Sequence, residues 1–121
     1  MESEGEIHRM KESIIQQQIC DYLSAVGVFY FSIPNEHYNI SHGQRVTLHK
    51  MGMLSGIPDI CILANNTCYF LEVKNETGKP SKQQLIIHKA LTDKGYKVAI
   101  VRSVEDVRHF LIKENIIKGV F

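Results

Sequence analysis

No apolar run in the 121-residue sequence approaches the roughly 20 residues that a bilayer-spanning helix needs. Its first residues, Met1 to Glu6, are acidic where a secretory leader would be basic and then apolar. The expected location is therefore the cytoplasm, with no membrane partner. Paired cysteines are also lacking. Cys20, Cys61 and Cys68 are an odd set without a C-x-x-C spacing, which argues against a disulfide framework or a zinc knuckle and for reduced, mostly buried thiols. Charge of one sign is missing too, with 14 Lys and Arg against 13 Asp and Glu. A histone-like basic surface is excluded, but a positive patch beside acidic ligands is not. There is no internal repeat and no low-complexity segment. What remains is an ordinary soluble composition, 44% hydrophobic and 22% charged. That is enough for one domain spanning residues 1–121 to bury a core without disulfides, and it excludes disorder as the main state.

Apolar residues recur at helical spacing from about Ile7 to Val26, with Ile15, Ile19, Tyr22, Leu23 and Val26 on one stripe and Gly27 placed for a C-terminal cap. Val28 to Ile33 is aromatic and β-branched and stops at Pro34, as a strand does. Residues 35–58 hold three histidines, three glycines and little periodicity. A connection of that length suggests a substrate-contacting loop, with room for a short strand over Arg45 to His49. Asp59 to Leu63 and Cys68 to Lys74 flank Asn65-Asn66-Thr67 and read as a hairpin. Ser81 offers an N-cap to a helix whose face is marked by Leu85, His88 and Leu91 and which ends near Gly95. Lys97 to Val101 is a further buried strand, and Ser103 with Asp106 resembles a capping box opening a last helix to about Lys113. The expected fold is α/β, in the order αβββαβα, with a mixed central sheet flanked by helices.

The chemistry concentrates on the hairpin. Strand side chains alternate, so Glu72 and Lys74 share a face while Val73 points into packing. Asp59 opens the neighbouring strand, and a turn at Asn65-Asn66 carries its carboxylate across to the Glu72 end. Two acids can then share a hard divalent cation such as magnesium. A bare E-x-K spacing is common and can be no more than a solvated strand edge. Here it follows Cys68-Tyr69-Phe70-Leu71, apolar on both faces, where ionised groups need partners or a metal. Glu12 extends the stripe of the first helix by one turn, with Gln16 its neighbour on the same face. Periodicity alone admits both a water-facing Glu12 and one pointing into the mouth of the site.

Four phrases together, Gly56-Ile57-Pro58-Asp59, Glu72-Val73-Lys74, Glu12-x-x-Ile15-Gln16-x-x-Ile19-x-x-Tyr22-Leu23, and Ser81-x-x-Gln84 with Leu91 and Gly95, resemble the VRR-NUC (virus-type replication-repair nuclease) domain of the PD-(D/E)xK superfamily. The resemblance runs from about Lys11 to Leu111 and looks closest to the stand-alone, often phage-encoded version. It implies a restriction-endonuclease-like core and a Mg2+-dependent deoxyribonuclease, with Mn2+ able to substitute, working in the cytoplasm, that of a bacterial host if the chain is phage-encoded. Asp59, Glu72 and the Val73 carbonyl would bind the metal, Lys74 would orient and polarise the attacking water, and Glu12 would contribute from the first helix. Gln84 matches the motif glutamine near the lysine, with Gln83 its rival because the two are adjacent. Gly56 and Pro58 would shape the turn into Asp59.

Stand-alone members resemble Holliday junction resolvases. A single site cannot cut two strands at once, so a four-way DNA junction calls for a homodimer. The other readings are flap, nicking or exonuclease activity, which would use the same residues, and a non-catalytic DNA-binding module, disfavoured by the intact acids and lysine. Arg45, Lys50, Lys79 and Lys82 are the candidate phosphate contacts, the last two near a helix start. The spacings of five and seven between His37, His42 and His49 match no common zinc pair. His88 reads as a packed helix residue and not a base. The segment Ile112 to Phe121 would either complete the core or meet another subunit.

Overall fold

A computed structural model describes residues 10–34 and 40–119. The elements in chain order are α1 (Glu12–Ala25), β1 (Phe29–Ser32), α2 (His42–Lys50), β2 (Ile60–Ala64), β3 (Thr67–Val73), α3 (Lys82–Asp93), β4 (Lys97–Val101) and α4 (Val104–Lys113). The strands form one mixed sheet in the order β1-β2-β3-β4. β1, β2 and β3 run antiparallel in turn, while β4 lies parallel to β3 and is reached through α3, since a parallel neighbour needs a crossover. Asn65 and Asn66 make the tight turn of the hairpin, with φ of +51° and +59°. Two successive left-handed residues give the twist that joins adjacent antiparallel strands.

Period-two alternation sorts the strand residues into two faces. Ile60, Ile62, Tyr69, Leu71, Val73 and Val101 turn to one side, where Ile15, Ile19 and Leu23 of α1 and Val107 and Leu111 of α4 close over them. Burial of each such aliphatic side chain contributes about 1.5–3 kcal/mol. Ile116 and Ile117 pack against the edge of this cluster, so that part of the C-terminal segment completes the core. Val120 and Phe121 lie outside the described residues, as do 1–9 and 35–39. The opposite face carries Asp59, Cys61, Phe70 and Glu72, and α3 covers the Glu72 end of it.

The four helices of the described residues end in the same way. A left-handed residue follows the cap (Gly27, Gly52, Gly95 or Asn115), and the next amide bonds back to a carbonyl of the last turn, as Val28 N to Leu23 O at 3.0 Å.

Four sequence expectations need correction. The short strand expected over Arg45 to His49 is helix α2, so the order is αβαββαβα. Ser41 and Gln44 form a reciprocal capping box that starts this helix, and none of its residues is buried, which is why no apolar period betrays it. Among the described residues the first helix begins at Glu12, the expected start at Ile7 lying outside them, and Val26 is its exposed cap and not part of the stripe. The inward face of α3 is Gln84, Ile87 and His88, rotated from the expected one, and Leu85 is 52% exposed. The Ser103 box is half made: Ser103 accepts from Asp106 N, but the Asp106 carboxylate accepts from Arg102 N.

Candidate active site

Asp59 sits just before β2, and its own amide donates to Leu71 O at 3.0 Å, continuing the ladder. Its Oδ2 accepts from Val73 N at 2.8 Å, so the side chain reaches across the hairpin to the level of Glu72. The turn before it is set by close packing. Gly56 has φ +85°, and a Cβ there would stand 2.8 Å from Gln83 O on α3. Only glycine fits both the left-handed backbone and that approach. Pro58 is fully buried behind it, and Gln83 Nε2 donates to Ser55 O at 3.2 Å.

Glu72 is completely buried. Its Oε1 lies 3.0 Å from His88 Nε2, its Oε2 accepts from Gln84 Nε2 at 3.4 Å, and the Asp59 carboxyl is its acidic neighbour. Burial, and then Asp59, push the Glu72 carboxyl up from 4.5 to about 9, against the pull of Lys74. Burial likewise lowers His88, with the positive charge of Lys74 adding to it. Lys74 is buried one residue past the end of β3, and its amide donates to Val101 O at 3.0 Å. Glu12 stands at the rim. Its Oε2 accepts from Asn75 N at 3.4 Å, and its charge reaches Glu72. Of the two orientations open to it, the structure adopts the one toward the site. The adjoining loop is braced by Arg102, whose Nη1 donates to Asn75 O at 2.6 Å and Gly78 O at 2.7 Å.

Asp59, Glu72, Lys74, Glu12 and Gln84 are thus brought together. Gln84, buried, faces Glu72, whereas Gln83 turns outward to the loop at Ser55. Lys79 and Lys82 are exposed on either side of the α3 cap at Ser81, Lys50 is exposed, and Arg45 is half-buried on α2. His49 is held by Met53 O at 2.9 Å and Ser55 Oγ at 3.3 Å, which pins the turn after α2. His37 lies outside the described residues. Three neighbours of the site were not anticipated: His88, Asn75 and Arg102. For His88 a signal existed, since it falls four residues after Gln84 and so on the same helix face.

Three acids stand here against one lysine, and the innermost acid is driven toward its neutral form. A divalent cation would relieve that imbalance. Among the described residues no three of His, Cys, Asp and Glu converge as a ready-made metal cluster. The oxygen donors that the structure brings together are the Asp59 and Glu72 carboxylates, with Glu12 at the rim. Such a sparse oxygen set fits a small hard ion that keeps several of its waters, as Mg2+ does.

No family model matches the sequence, and no curated protein does. Solved structures do. One, a VRR_NUC domain, aligns at 26% identity and a TM-score of 0.59 over 84% of this chain and 94% of its own. Another, a VRR_NUC domain protein, aligns at 15% identity and a TM-score of 0.71 over 86% and 87%. The second speaks for the fold alone. Fold and site together define a nuclease of the PD-(D/E)xK type on a restriction-endonuclease-like core. Within that class the chain is similar to VRR_NUC domains over most of its length. Nucleases of this type usually work with divalent metals.

Proposed function

We propose that this chain is a Mg2+-dependent DNA endonuclease, with Mn2+ able to substitute, that cuts four-way junctions as a homodimer. The observation that carries the catalytic part is the burial of Asp59, Glu72 and Lys74 side by side on one face of the sheet, with acid in excess. Asp59, Glu72 and the Val73 carbonyl hold the cation, and Glu12 contributes from the rim. When bound, the cation lowers the pKa of its water and offsets charge on the scissile phosphate. Lys74 donates from its ammonium group to that water or to a phosphate oxygen, in a site where little solvent competes. Gln84 steadies Glu72 from α3. Arg45, Lys50, Lys79 and Lys82 meet the DNA backbone.

The dimer reading rests on symmetry, because paired cuts across a two-fold junction need two sites related by a two-fold axis. It is supported by an apolar strip on the part of the sheet that α3 leaves uncovered, where Phe29 is 66%, Phe31 45% and Leu63 42% exposed. The test is one cleavage assay comparing four-way junction, flap and linear duplex DNA with Mg2+, alongside a sedimentation measurement of mass. Paired symmetric nicks in the junction by a dimer are expected, and Asp59→Asn abolishes them. Cutting of flap or linear DNA by a monomer overturns the junction reading and leaves the nuclease. Unchanged cleavage by Asp59→Asn overturns the catalytic assignment.

A further inference from the structure

Glu72 is the only fully buried charged side chain among the described residues, and its orientation decides where its oxygens point. Two groups on α3 touch it, and they are unequal. Gln84 Nε2 stands 3.4 Å from Oε2, near the outer limit of a hydrogen bond, and Gln84 Oε1 is committed at 2.8 Å to Ser81 N in the helix cap. His88 Nε2 stands 3.0 Å from Oε1, with its side chain only 11% exposed. Once Glu72 is ionised by a bound cation its oxygens only accept, so Nε2 then carries the hydrogen and donates. A rigid ring on a helix is a better anchor for a three-torsion side chain than an amide already tied elsewhere. The helix holding it is itself fixed to the sheet by buried Ile87 and to the Asp59 turn by the close approach of Gly56 to Gln83.

We propose that His88 is a positioning residue: its hydrogen bond to Oε1 fixes the Glu72 carboxylate with its remaining lone pairs toward the divalent cation, and so sets cation affinity. The proposal rests on the reading of Glu72 as a cation ligand. It assigns to α3 a part in cation binding beyond the motif glutamine. Partners that orient ligating groups in this way typically change metal affinity by about 10- to 100-fold when removed.

The test is Mn2+ binding to the protein without DNA, read from the electron paramagnetic resonance signal of free Mn2+. His88→Leu, which cannot donate, is expected to weaken binding by about 10- to 100-fold. His88→Gln, whose amide can occupy the Nε2 position, is expected to restore most of it. Equal binding by wild type and His88→Leu overturns the proposal, and so does a His88→Gln as weak as His88→Leu. Should His88→Leu fail to fold, His88→Asn, one methylene too short to reach Oε1, takes its place with the same expectation. Glu72→Gln serves as the control: if it binds Mn2+ like wild type, the underlying ligand assignment fails, whatever His88 does.

Discussion

The two faces of the sheet follow opposite rules. Against α1 and α4 the buried side chains form one apolar cluster without a charged group, with Ile19, Leu23, Ile60, Ile62, Leu71, Val107 and Leu111 all shut away from water. Against α3 the buried groups are Asp59, Glu72, Lys74 and Gln84, and beyond them the same face lies open at Phe29, Phe31 and Leu63. One side of the sheet supplies cohesion, and that surplus lets the other hold ionisable groups that cost free energy to bury. A sheet only one residue thick thus keeps stability and chemistry apart, because alternate residues of a single strand serve each: Leu71 and Val73 face the core while Glu72 faces the site.

Substitutions on either side should separate these two roles. The largest effect is expected from Lys74→Ala, which should lower cleavage by about 10²–10³-fold while circular dichroism shows the fold intact; a fall in helicity of the same variant would break the division. Leu23→Ala, on the cohesive face, should cost about 2–5 kcal/mol in urea unfolding and leave the turnover of the remaining folded protein unchanged.

A subtler effect concerns pH. The folded Glu72 carboxyl, at about 9, binds its proton more tightly than the ordinary carboxyl of the unfolded chain at 4.5. Its contribution to stability is therefore full below pH 4.5 and is lost as pH rises toward 9. In the presence of a chelator the urea midpoint should fall between pH 5.5 and pH 8.5, roughly the span of that shift. Glu72→Gln should flatten the slope, and added Mg2+ should oppose it. The smallest effect is expected at Leu85→Ala, on the solvent side of α3, which should stay within about 0.5 kcal/mol in the same unfolding assay.

The same division explains what could be read beforehand. The hairpin was legible because its elements carry local signals: paired asparagines for the turn, alternation along Cys68 to Val73, and acids where a buried strand should have none. Gln84 is singled out only by the family resemblance, with Gln83 as its rival, and the Ser81–Gln84 capping box with the contact to Glu72 is what separates the two. α2 was hidden because it buries nothing, so its apolar residues obey no period; only the Ser41-x-x-Gln44 cap marks its start. The rotation of α3 was hidden for the converse reason. Its inward face is partly polar, with Gln84 and His88 turned toward a carboxylate, and a search for apolar stripes selects Leu85, which is exposed. The Arg102 guanidinium donates to the backbone carbonyl of Asn75, 27 residues away in sequence, a contact that the parallel pairing of β3 with β4 creates.

That last contact bears on how the protein comes to life during synthesis. A nascent chain that has emerged as far as Lys74 already contains Asp59, Glu72 and the lysine itself. Yet the carbonyl that receives the Lys74 amide belongs to Val101, and the guanidinium clamping Asn75 and Gly78 belongs to Arg102. This buried charged cluster is therefore completed late, when β4 pairs alongside β3, and a truncated translation product ending before that strand would carry Asp59, Glu72 and Lys74 without the scaffold that aligns them.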